Sequence, residues 1–155
     1  MTTTTATSMR ALSLTQPWAT LVALGIKTIE TRSWLTSYRG VLAIHAAKGL
    51  PGYARDSWHL NCWVRAALQQ AGYASVEELP RGVVLAIATL AYVYPVERIR
   101  SDLSPLEEAL GDYSSGRYAW GLTGVRRPAE PVPARGALGL WAWSPPNGWA
   151  EGRRQ

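Results

Sequence analysis

Residues 12–34 read LSLTQPWATLVALGIKTIETRSW, and the changes of pattern inside this stretch decide the architecture. Arg10–Leu14 alternates as a short opening strand. Pro17 suits a first helical turn, where its missing amide donor costs nothing. Trp18, Leu21, Val22 and Gly25 then recur at helical spacing, which predicts a helix over 17–24 that buries one stripe. Gly25 is its natural stop, because glycine takes the left-handed conformation cheaply. From Ile26 to Trp34 the chain alternates again. An ideal strand there points Lys27, Ile29, Thr31 and Ser33 one way and Thr28, Glu30, Arg32 and Trp34 the other.

Working outward, Val41–Ala47 reads as a second strand, ended by the Gly-Leu-Pro-Gly breaker at 49–52. Arg55–Ala71 reads as one helix with Leu60, Trp63, Val64, Ala67 and Ala71 on its apolar face and Gly72 as its stop. A short helical turn is expected over Val76–Leu79. Gly82–Val96 carries the strongest strand signal, and its nearly continuous apolar run predicts a strand covered on both faces. Asp102–Gly116 is an excursion with a short helix near Leu106–Leu110. Tyr118–Val125 returns as a strand, Pro128–Pro133 is a connector, and Gly136–Trp143 closes the sheet. Five or six strands with two substantial helices, no repeat and no glycine-rich phosphate loop favour a small mixed α/β barrel with peripheral helices over a doubly wound sheet.

At 155 residues, one domain is expected, spanning 9–143 between a disordered threonine-rich segment, 1–8, and a loose tail, 144–155. Such a chain buries roughly two thirds of its unfolded surface and needs neither disulfide nor metal. The single cysteine, Cys62, excludes an internal disulfide and is expected to be a buried small hydrophobe. No run approaches the about 20 apolar residues of a membrane span, and a cytoplasmic location without membrane contact is expected. The net charge of +5, with eight tryptophans and seven tyrosines, supplies what phosphates and stacked bases need, although most rings in a small domain serve packing.

Lys27, Glu30 and Arg32 form the sharpest candidate cluster. Arginine offers a rigid donor fork, lysine a compact charge, and glutamate an acceptor or proton carrier. Lys27 reaches the cleft of the other two if the helix–strand junction twists or bulges. The plain alternative is a solvated strand with an ion pair. Gln16 and Trp18, at the first helix's start, are candidates for reading an amide-like edge and stacking a ring, against capping and core packing. His45 and Lys48 belong to the second strand and its exit. His45 is a candidate for proton transfer, but a histidine in an apolar strand is more often a satisfied structural residue. His59 has no spacing partner, so no metal site and no cofactor are expected. Arg117, Tyr118 and Trp120 form a second basic–aromatic group, with core packing the alternative for Trp120. Arg126, Arg127 and Arg135 around the proline-rich connector are expected to contact the backbone if nucleic acid binds, or else to be ordinary surface charge.

These residues also carry a resemblance. The stretch 12–34, VLAIHAAK at 41–48, residues 81–90, GRYAWGL at 116–122 and RGALGLW at 135–141 together resemble the ASCH (activating signal cointegrator homology) family over about residues 9–143. The resemblance implies a PUA-like fold, a small β-barrel with flanking helices whose cleft accepts a nucleotide or single-stranded RNA. It also implies two enzymatic possibilities. One branch hydrolyses N4-acetylcytidine with a lysine, a threonine three residues on and a separate glutamate; Lys27 matches the lysine, Glu30 stands where the threonine would be, and Glu97 is the candidate glutamate by chain order. Another is linked with metal-independent cleavage of single-stranded RNA. There Lys27 or Arg32 would stabilise the phosphate, and Glu30, Tyr118 or His45 would take part in activating the ribose hydroxyl. The leading expectation is RNA or nucleotide binding through Gln16, Trp18, Lys27, Glu30, Arg32, Lys48, Arg117 and Tyr118, with hydrolysis the alternative and any protein partner open.

Overall fold

A computed structural model describes residues 7–147 and residue 149. The expectations for the two termini fall largely on residues outside that range. The elements run β1 (Met9–Leu14), α1 (Trp18–Ala23), β2 (Ile29–Arg32), β3 (Gly40–Ala46), α2 (Gly52–Leu60), α3 (Cys62–Gln70), β4 (Val83–Pro95), α4 (Val96–Ile99), α5 (Pro105–Ala109), β5 (Tyr118–Arg126), β6 (Val132–Pro133) and β7 (Leu140–Trp143). The strands form one sheet in the order β2-β5-β4-β3-β1-β7, with β6 added to β4. Among the described residues only β1 and β3 pair in parallel; every other pairing is antiparallel.

The apolar run of β4 explains its place at the sheet's centre. Its first half pairs with β3, its second half with β5, and its opening residues also with β6. The register shifts at Ile44/His45 on the β3 side, and at Ile87/Thr89 and Leu90/Tyr92 on the β5 side. Such bulges increase local twist, and they curl the sheet into a half-barrel. Gly121 makes one close passage possible: a Cβ there would lie 2.1 Å from the Tyr92 ring.

The sheet face toward α1 holds the main core. Leu12, Leu42, Ile44, Ala86, Leu90 and Trp120 pack there against Ala19, Val22 and Ala23 of α1. Helix α1 has only six residues, and all but Trp18 are buried. Packing therefore holds it more than intrinsic helix stability does. Gly25 adopts φ +73°, as its position after the helix predicts. A second cluster joins Leu21 to Trp58, Val64, Leu68 and Leu110, fixing α2, α3 and α5 on one flank. The mixed α/β class and the curled sheet with flanking helices agree with a PUA-like fold.

The expected helix 55–71 is two helices. Asn61 leaves helical geometry (φ −120°, ψ 101°), and its Oδ1 accepts from Trp63 N at 3.1 Å and Val64 N at 3.3 Å, capping α3. The break shifts the helical phase. Leu60 and Trp63, assigned to the buried face, are exposed, and Cys62 is exposed instead of buried. Among the described residues no helix is long and apolar enough to cross a membrane.

Candidate functional site

The turn after α1 builds the site. The amides of Ile26 and Lys27 both donate to Leu21 O at 3.1 Å, so Lys27 still belongs to the helix end and not to the strand alternation. This junction brings Lys27 to the cleft lined by Glu30 and Arg32, which an ideal strand would have prevented. Helix α5 clamps the same turn. Its Glu107, 7 % exposed, accepts through Oε1 from Ile29 N at 2.9 Å and Thr28 N at 3.1 Å, and through Oε2 from Thr28 Oγ1 at 3.2 Å.

A cleft of about 430 Å³ opens between this turn and the α2–α3 flank. Trp18 and Tyr53 form one wall, their rings 5.9 Å apart and inclined at 34°. Lys27, Glu30, Thr31 and Arg32 line it from the turn and β2, and Asp112 and Arg117 from the far side.

Lys27 is 1 % exposed. Its Nζ donates to Ile29 O at 2.5 Å, and the ion pairs found among the described residues, Arg55–Glu77 and Arg117–Asp112, do not include it. Burial pushes the ammonium pKa below its ordinary value, while the charges of Glu30 and Glu107 oppose that shift. Glu30 is 8 % exposed; its Oε1 accepts from Thr31 N at 2.9 Å, leaving Oε2 for another donor. Arg117 is braced by Nη2 to Thr31 O at 3.0 Å and by Nε to Asp112 O at 3.2 Å. The Arg32 guanidinium lies 5.8 Å from the centre of the Trp34 ring. Tyr113 sits beside Lys27 against Gly111, where a Cβ would meet its ring at 2.8 Å. Its hydroxyl is buried without a hydrogen-bond partner among the described residues, and burial with the Glu107 and Glu30 charges pushes its ionisation upward.

The cleft thus gathers Trp18, Lys27, Glu30, Arg32 and Arg117 of the expected set. Gln16 is fully buried and serves the fold: Nε2 donates to Thr20 Oγ1 and Pro80 O, both at 2.7 Å, and Oε1 accepts from Thr20 N at 3.0 Å. Tyr118 pairs with Arg32 across β2 and β5 but packs on the main core and does not line the cleft. His45 and Lys48 line a different cavity, because His45 pairs with Ser13 on the sheet face opposite the main core. Glu97 lies outside the cleft, exposed, with Oε1 accepting from Gly116 N.

Four contributors escape the sequence reading. Tyr53 lies on α2 ahead of the expected helix start at Arg55, Asn61 lies at a break that the single-helix reading hides, and Asp112 lies in the excursion. Glu107 has a signal, since Ser104-Pro105-Leu106-Glu107 is a capping-box pattern. Ser104 Oγ does accept from Glu107 N at 3.1 Å, but the carboxylate turns to Thr28 and Ile29. Among the described residues no group of three or more His, Cys, Asp or Glu is placed to hold a metal.

The ASCH domain profile matches residues 12–131. Activating signal cointegrator 1 from Homo sapiens and from Mus musculus each share 52 % identity with this chain over 40 residues, a match covering 26 % of this chain and 7 % of each relative. The ASCH protein of Zymomonas mobilis is similar in structure at a TM-score of 0.46, with 16 % identity over 80 % of this chain and 72 % of that one. A tyrosine-to-phenylalanine variant of that protein gives a TM-score of 0.47, at 15 % identity over 80 % of this chain and 74 % of that one. The ASCH and PUA-like folds are associated in general with RNA or nucleotide binding. With the profile spanning most of the sequence, from β1 to the segment before β6, this chain belongs to the ASCH domain family.

Proposed function

We propose that this chain binds a nucleotide of single-stranded RNA in the cleft over Lys27 and Glu30. One observation carries the reading: Lys27, buried and outside any ion pair among the described residues, lies in a cleft walled by Trp18 and Tyr53. A buried cation held by one backbone carbonyl and outside any ion pair is costly, so a site that keeps one favours an incoming anion or acceptor. The two rings present a face on which a base stacks, a contact worth about 1–3 kcal/mol per base. Glu30 Oε2 accepts from a base amino group, and Arg32 and Arg117 face the sugar-phosphate side. Unpaired RNA fits this chemistry, because a duplex keeps its base faces stacked. Bases with an exocyclic amine bind more tightly than uracil.

The test is fluorescence anisotropy with labelled single-stranded and duplex RNA of the same sequence. The wild type binds the single strand more tightly. Trp18→Ala and Lys27→Met each weaken that binding at least tenfold without lowering Tm in proportion. Equal affinity for both forms, or variants that bind like the wild type, defeats the reading.

A second reading rests on the lowered Lys27 pKa beside a carboxylate, since perturbed titratable groups in a cleft also mark catalytic sites. In that reading the cleft hydrolyses N4-acetylcytidine or an RNA phosphodiester. Mass spectrometry of both substrates, with the wild type and with Glu30→Gln, decides it: intact substrate throughout removes this reading and leaves binding.

A further inference from the structure

The side of the sheet opposite the main core carries a second cavity that the proposed binding does not use. It measures about 1100 Å³ and lies between the ends of β1 and β3 and the segment 133–138. Lys48, Arg81 and Arg135 line it, and no carboxylate does. All three are exposed, and none belongs to an ion pair found among the described residues.

The floor is built and neutral. His45, 2 % exposed, has Nε2 2.8 Å from Ala134 O and Nδ1 2.9 Å from Ser13 Oγ. A carbonyl only accepts, so Nε2 carries the proton and Nδ1 accepts from the Ser13 hydroxyl. Ser13 Oγ in turn accepts from Trp141 Nε1 at 3.1 Å. Burial pushes the His45 pKa down against the opposing bond to Ala134 O, which favours the neutral ring. Gly136 closes over this network, and a Cβ there would meet both His45 Cε1 and Ser13 Oγ at 2.7 Å. The network thereby holds the segment that presents Arg135. Ala134 N adds a bond to Gly82 O at 3.1 Å, and Arg81 Nη1 donates to Lys48 O at 3.1 Å. Three cations are thus set around one cavity above a floor that supplies no counter-charge.

The cavity and the first cleft meet at the end of β1. Ser13 lines the cavity and Leu14, the next residue of β1, lines the cleft, so one strand end separates the two. We infer that Lys48, Arg81 and Arg135 hold backbone phosphates of the same single-stranded RNA whose nucleotide occupies the Lys27 cleft, the strand passing over the end of β1. This rests on the binding reading above. It assigns Lys48 to backbone positioning, and His45 to positioning the 133–138 segment in place of proton transfer. Leu138, 99 % exposed at the rim, offers an apolar contact to a ribose or base along that path.

The experiment measures binding of a single-stranded oligonucleotide and of a mononucleotide across a salt series. It compares the wild type with the triple variant Lys48→Ala, Arg81→Ala, Arg135→Ala and with Trp18→Ala. All three substituted cations are exposed and the one bond lost, from Arg81 to Lys48 O, is exposed too, so Tm falls little and serves as the folding control. The triple variant is expected to lose tenfold or more in oligonucleotide affinity at low salt. Its plot of log affinity against log salt becomes shallower by about 0.7 for each phosphate no longer neutralised, about 2 in all. Mononucleotide affinity is unchanged. An unaltered oligonucleotide affinity and slope overturns the inference. So does an equal loss for the mononucleotide, which would make the cavity a site for free nucleotide or phosphate. If Trp18→Ala has no effect while the triple variant loses affinity and slope, the cleft reading fails and the phosphate pocket stands.

Discussion

Replacing Glu107 by alanine removes the carboxylate that joins α5 to the Lys27 turn. The Thr28 amide, bound at 3.1 Å, the Ile29 amide at 2.9 Å and the Thr28 hydroxyl at 3.2 Å all lose their acceptor. A hydrogen bond to a charged group contributes about 1.5–3 kcal/mol net. Thr28 is exposed, so water replaces much of its loss, whereas the half-buried Ile29 amide is less readily resolvated. Counting Ile29 nearly in full and Thr28 at a discount gives about 3 kcal/mol, which lowers Tm by roughly 6–12 °C in a chain of this size. Glu107→Gln keeps one acceptor but turns amide hydrogens toward other donors, and about half the loss is expected. Urea and thermal denaturation give the stabilities, and RNA titration of the same proteins reports whether Lys27 stays in place. Affinity falls with stability in the alanine variant, because the turn that carries Lys27 is no longer clamped. A Glu107→Ala protein with wild-type Tm and wild-type affinity refutes the reasoning.

Three further outcomes follow from the same geometry. Because burial lowers the Lys27 pKa below 10.5, the unfolded chain binds more protons than the folded one between the folded value and 10.5. Stability therefore rises with pH through that window, and the difference in urea stability between wild type and Lys27→Met carries this slope; a flat difference contradicts it. Asn61→Ala removes the α3 cap and the 2.7 Å bond from Nδ2 to Ala109 O, so a loss of about 1–2 kcal/mol is expected by denaturation. Gly111→Ala places a methyl group 2.8 Å from the Tyr113 ring and 3.2 Å from Lys27 Nζ, so it weakens RNA binding in the anisotropy assay by displacing the cleft floor.

Much of this architecture is legible because local pattern and tertiary role agree. The Gly25 stop, the apolar run of β4 and the change from helical to extended pattern after residue 24 each name one element. Lys27 reaches Glu30 in a sequence reading only if the junction is irregular, and the bonds from Ile26 and Lys27 to Leu21 are that irregularity. The remainder is hidden for physical reasons. Periodicity shows which residues share a face but not what covers it, so it joins His45 and Lys48 to a cleft they do not line. Gln16 sits beside the cleft in sequence, but its amide is spent within the fold. Glu107 reads as a local capping residue and acts on a segment 78 residues away. Asn61 inside a helical pattern reads as a tolerated polar residue, yet it ends one helix and caps the next.

Photo-crosslinking tests the central claim most directly. Single-stranded RNA carrying a photoreactive thioguanosine, which keeps an exocyclic amine for Glu30, is irradiated with the wild-type protein, and the adducted residues are identified by mass spectrometry. The account predicts adducts at Trp18 and Tyr53, lost when unlabelled single-stranded RNA competes. Efficient, competable adducts confined to other faces, with none at these two rings, would contradict it.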